Sequence, residues 1–210
     1  ILIASETAKT YPTVEYWLGY LADADGNAEL ARERFKKAES KDIDYVFPFR
    51  LETISTLDKA LEYLPKSFNT WYYLGNLYYH KQPQKALMCW ENAFEVKPDF
   101  AMALRNLGWY WRFKNENKDK DFADYAKAIE YYRLAIDSDT EGNALFLAEC
   151  DEIMEFVKAP LEDRYNLFNG KESLYEKRYD SETKALKQRI LHGEYAPVLE
   201  KLQTRFYSRR

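Results

Sequence analysis

One spacing constrains this chain more than any other feature. Trp71, Leu74-Gly75, Tyr78, Ala86, Trp90, Ala93 and Pro98 form a ladder of small residues, rings and a terminal proline. Gly75 and Ala86 suit a point where two antiparallel helices cross, because small side chains let the backbones approach. The rings fill the space around the crossing, and Pro98 stops the second helix. The ladder returns upstream as Leu18-Gly19, Ala31, Phe35 and Ala38. Downstream it returns as Leu104, Leu107-Gly108, Trp111, Ala128, Tyr132 and Ala135. Leu57, Ala60 and Pro65 stand one repeat length before Trp90, Ala93 and Pro98. Recurrence at a fixed period predicts stacked units that bury their apolar faces on one another.

The copies divide the 210 residues into 12–45, 46–66, 68–98, 101–140, 143–169 and 172–208. The second is a half repeat. Phe49–Leu64 reads as its one helix, with a stripe of Leu51, Ile54, Leu57, Leu61 and Leu64. Asp42–Pro48, rich in Tyr, Val and Phe, reads as an extended plug over the face left without a partner. The fourth copy carries a polar insertion, Asn115–Asp124, and the last two are degenerate helical pairs. Glycine and proline number only 7 each, too few for a many-turned β fold. The expectation is an all-α chain of about eleven helices, read as a single array over 1–210.

Together these positions resemble the tetratricopeptide repeat family, whose pattern is W-x2-L-G-x2-Y…A-x3-F…P, with Trp90 in the Phe slot. The resemblance is strong over residues 69–99 and decays on either side. It implies a helical solenoid wound as a right-handed superhelix, with first helices lining a concave groove. Residues 45–53 and 99–108 are similar to the repeat region of a bacterial family of long multidomain proteins. There a β-rich domain, linked to carbohydrate, precedes the array. A start at Ile1 without Met fits a piece of such a protein.

By that resemblance, Tyr72, Asn76 and Tyr79 face the groove in the strongest copy. Arg105, Asn106, Trp109 and Arg112 face it in the next, with Tyr16 and Tyr20 at the rim. Aromatics are 17% of the chain, with 18 Tyr, 12 Phe and 5 Trp. The rings are expected to stack, the asparagines to offer amide hydrogen bonds and the arginines to pair with anions. The alternative for each ring is packing against a neighbouring repeat.

Little in the sequence points to chemistry. His80 and His192 stand far apart with no nucleophile motif, and glycine is too scarce for a phosphate loop. Cys89 and Cys150 read as free core thiols, so no disulfide, metal or cofactor is expected. The net charge of −4 argues against nucleic acid, although residues 171–210 hold ten Lys/Arg against six Asp/Glu. No apolar run suits a membrane span, and the cytoplasm is the expected compartment.

The expected function is non-catalytic: binding or scaffolding of a protein, a peptide or another domain of the same full-length chain. Homodimerisation through exposed rings is a further option. The alternative is the helical part of a carbohydrate-active protein that binds glycan or completes an active site. A carboxylate such as Glu149 or Glu152 facing Arg112 would favour that alternative.

Overall fold

The structure is a computed structural model that describes residues 11–43, 46, 48–114, 122–140 and 142–167. Its regular structure is all helical. In chain order the helices are α1 (Pro12–Ala24), α2 (Ala28–Glu39), α3 (Thr53–Tyr63), α4 (Phe68–Tyr78) and α5 (Pro83–Val96). They continue with α6 (Ala101–Phe113), α7 (Phe122–Ser138), α8 (Ala144–Phe156) and α9 (Leu161–Asn166). Nine helices are thus described where about eleven were expected. The pair placed at 172–208 and most of the 115–124 insertion lie outside the described residues.

Local chemistry sets the boundaries. Pro12 and Pro83 open α1 and α5, at positions where a missing N–H costs no helical bond. Asn27, Ser67 and Asn143 cap α2, α4 and α8, each side chain accepting a backbone N–H of the first turn. Between α1 and α2 the chain reverses at Gly26, whose φ of +78° suits a residue without Cβ.

The chain divides into two compact units, Ile1–Pro98 and Asp99–Arg210. In the first, α1 pairs with α2 and α4 with α5, while α3 packs on α1, α4 and α2. In the second, α6 pairs with α7, which also packs on α8, and α9 lies against α8.

The same close contact recurs in each of the three main hairpins. A Cβ placed on Gly75 would lie 2.3 Å from Nε1 of Trp90. On Gly19 it would lie 2.6 Å from the ring of Phe35, and on Gly108 2.7 Å from that of Tyr132. In each pair the ring of the second helix therefore rests on bare backbone of the first. Ala31, Ala86 and Ala128 are fully buried beside these contacts, as are Ala38, Ala93 and Ala135. Burying a ring of this size contributes about 1.5–3 kcal/mol.

Two expectations around the half repeat need correction. Its helix begins at Thr53, not Phe49, after turns in which Thr53 and Ile54 bond back to Arg50 and Leu51. Phe49 and Leu51 are consequently exposed, so Leu51 does not belong to the buried stripe, whereas Leu57 and Ala60 lie fully inside. Apolar spacing alone extended the helix backwards past its first turn. Within Asp42–Pro48, Val46 is buried and its N–H bonds to the Ile43 carbonyl, a local turn. Residues 44, 45 and 47 of that stretch are outside the described set. Cys89 and Cys150 are buried free thiols.

Candidate functional site

In the first unit, most of the expected groove residues serve the interior. Tyr16 is wholly buried. Its ring meets Tyr73 edge-on at 6.2 Å, and its hydroxyl lies 2.9 Å from Thr70 Oγ1. Ser67 and Tyr16 both donate to the Glu39 carboxylate, and Asn69 Nδ2 donates to the Glu39 carbonyl at 3.1 Å. Tyr16 is therefore a core residue that joins α1, α2 and α4, not a rim residue.

Burial outweighs those hydrogen bonds and holds the Glu39 carboxyl above the usual carboxylate range. It also pushes the Tyr16 phenol upward, with the Glu39 charge adding to the effect. Glu15, the neighbour of Tyr16 on α1, shows the opposite balance. Burial pushes its carboxyl up, but Lys37 and Arg34, at 2.6 and 3.1 Å, together hold it below the usual range.

Tyr72 is also buried, its ring 5.8 Å from that of Tyr73. Asn76 turns its Oδ1 toward Trp90, whose indole N–H donates to it at 3.1 Å. That bond fixes the ring lying on Gly75, so the Asn76 carbonyl acts within its own hairpin. Tyr79 packs on Trp90 at 5.5 Å and on His80 at 5.4 Å. Tyr20 is half-buried with its ring edge-on to Trp17 at 5.9 Å.

The second unit presents a different surface. Arg105 pairs with Glu149 through two donors, Nε at 2.8 Å and Nη2 at 2.5 Å. The Tyr132 hydroxyl donates to the same carboxylate at 2.8 Å. Burial, then the Glu149 charge, push the Tyr132 phenol well upward, so it stays a proton donor. Asn106 is buried, and its Oδ1 accepts from Arg105 Nη1 at 3.4 Å. Arg105 and Asn106 of α6, Tyr132 of α7 and Glu149 of α8 thus form one structural network across three helices.

Further along α6 the character changes. Trp109, Arg112 and Phe113 are all half-buried, partly open to solvent. The Trp109 and Phe113 rings lie 4.4 Å apart, the i, i+4 contact of a helix surface. Arg105 lies 4.5 Å from the Trp109 ring centre and Arg112 5.9 Å, while Arg112 is 4.8 Å from that of Phe113. Arg112 pairs with Glu152 of α8 at 2.7 Å. Phe113 was not among the expected site residues, although its spacing from Trp109 signals a shared face.

Among the described residues, no His, Cys, Asp and Glu group could hold a metal ion. A recess of about 310 Å³ in the second unit is lined by Arg133, Asp137, Asp163 and Asn166 over Ile136 and Leu167. No described helix is long and apolar enough to cross a membrane. No protein-family model matches the chain, and no curated protein is significantly similar to it.

Proposed function

We propose that this chain is a non-catalytic helical-repeat module of tetratricopeptide type, stacked as a solenoid, that binds a protein or peptide segment. The repeated glycine-on-ring hairpins support the repeat reading. The observation that carries the binding reading is the half-buried ridge of Trp109, Arg112 and Phe113 on α6, partly open to solvent. Aromatic and arginine side chains dominate binding energy at protein interfaces, because they bury large area while keeping a polar handle. The segment can come from a partner or from another domain of the full-length protein.

The test is selection of a displayed random-peptide library on the immobilised chain, followed by calorimetry of the enriched peptides. A double Trp109→Ala, Phe113→Ala variant is expected to weaken binding at least about tenfold with its helical circular dichroism intact. Equal binding by the double variant would remove the ridge from the reading, and failure to enrich any peptide would remove peptide binding itself.

A glycan-binding reading, as part of a carbohydrate-active protein, draws on one observation: Glu152 stands opposite Arg112 and Glu149 opposite Arg105. Both carboxylates are engaged by guanidiniums, and two guanidiniums lie over the Trp109 ring that a sugar would stack on. A glycan array probed with the same chain separates this reading from the first.

A further inference from the structure

Arg105 and Arg112 sit two turns apart on one helix and pair with two glutamates of α8, yet the pairs differ in kind. Arg105 uses Nε and Nη2 on Glu149, a largely buried carboxylate that also accepts from Tyr132. Removing Arg105 from that arrangement leaves the buried Glu149 charge without its guanidinium partner. Arg112 makes a single hydrogen bond, Nη2 to Oε2 of Glu152. Glu152 is 63% exposed, and among the described residues this is the only hydrogen bond found for either side chain. Meanwhile the Arg112 guanidinium is held by packing, with only 16% of its side chain exposed and the Trp109 and Phe113 rings close by.

A guanidinium oriented by rings and met by one solvent-exposed, single-point carboxylate is arranged for exchange. Exposed ion pairs of this sort are weak, whereas bidentate pairing with a carboxylate is stronger and directional. Building on the peptide-binding reading above, we infer that Arg112 is the acid-reading residue of the ridge and that Glu152 is an internal competitor. An Asp or Glu side chain of the bound peptide displaces Glu152 and takes both edges of the guanidinium, while neighbouring apolar residues of the peptide lie on Trp109 and Phe113. Arg105 takes no part in reading, because its fork is committed to Glu149. The occupant is a peptide rather than a glycan, because the oriented guanidinium calls for a carboxylate, which Asp and Glu side chains supply beside apolar neighbours.

The test uses the whole chain and a random 12-residue peptide library, selected on wild type, then calorimetry of one enriched acidic peptide and of its Asp/Glu→Asn/Gln counterpart. Enrichment of Asp or Glu is expected. Arg112→Gln should weaken the acidic peptide about tenfold and leave its neutral counterpart nearly unchanged. Glu152→Gln should tighten the acidic peptide about threefold or more, since the competitor has lost its charge. Arg112→Lys keeps the charge and the stem, and its intermediate loss separates reading from folding.

Enrichment of peptides without acidic residues, or affinity unmoved by Glu152→Gln and Arg112→Gln, overturns this inference while peptide binding stands. A chain that enriches no peptide, or that binds only glycans, overturns both together.

Discussion

The α4–α5 hairpin of the first unit and the α6–α7 hairpin of the second share one packing device and spend their remaining side chains differently. In both, a glycine lets a ring of the second helix rest on the first. In α4–α5 Asn76 is then turned to hold that ring. In α6–α7 the ring is tyrosine, and its hydroxyl reaches a glutamate of the next helix, which in turn fixes Arg105. A tryptophan in the slot ends its polar connections inside the hairpin, whereas a tyrosine extends them outward. The repeat slot therefore sets the packing, and the identity of the ring sets whether polar order spreads to the next helix.

Glu149→Ala should break this comparison hardest. It strips the acceptor from both Arg105 and Tyr132, and urea denaturation should show a loss of about 2–4 kcal/mol, tempered by the partial exposure of Arg105. Next comes Gly75→Ala. Its added Cβ would stand 2.3 Å from the Trp90 ring, so overpacking of about 1–3 kcal/mol should exceed the roughly 1 kcal/mol gained in helix propensity. A stability equal to or above wild type would show that Trp90 repacks at no cost. Asn76→Ala, which leaves the Trp90 indole N–H without its acceptor, should cost about 1 kcal/mol.

The smallest effect is one of pH, and it separates two carboxylates of the first unit. Glu39 has its carboxyl raised on folding, so its contribution is present below its ordinary value of 4.5 and lost as pH rises through the folded value. Glu15 has its carboxyl lowered, so its contribution is present above 4.5 and lost as pH falls through the folded value. Stability measured from pH 3 to 8 should therefore change in opposite senses: Glu39→Gln relieves a penalty at neutral pH, and Glu15→Gln removes a benefit there. Parallel curves for the two variants would contradict the assignment.

The hairpins were readable in the sequence because their determinants are local and periodic. Gly19 and Gly75 stand 16 and 15 residues before their rings, and Gly108 stands 24 before Tyr132, the difference being the polar insertion. Pro12, Ser67 and Pro83 mark helix starts by their own chemistry. The use of the residues expected to line a groove was not readable, because it depends on partners far along the chain. Glu149 lies 44 residues from Arg105, and Thr70 lies 54 from Tyr16. No slot rule says that Tyr16 points inward to a hydroxyl while Trp109 stays half-buried. The start of α3 was missed for a related reason: Leu51 fits the apolar stripe, but the turn that precedes Thr53 carries it outside.

The two cysteines give the chain a pair of clocks. Cys89 belongs to the first unit and Cys150 to the second, and burial pushes each thiol up to about 12. A thiol so protonated and enclosed is inert toward an alkylating reagent until its surroundings open. The labelling rate of Cys89 then times the opening of α5, and that of Cys150 the opening of α8. Measured side by side on one unmodified chain, the two rates report whether the units breathe together or apart.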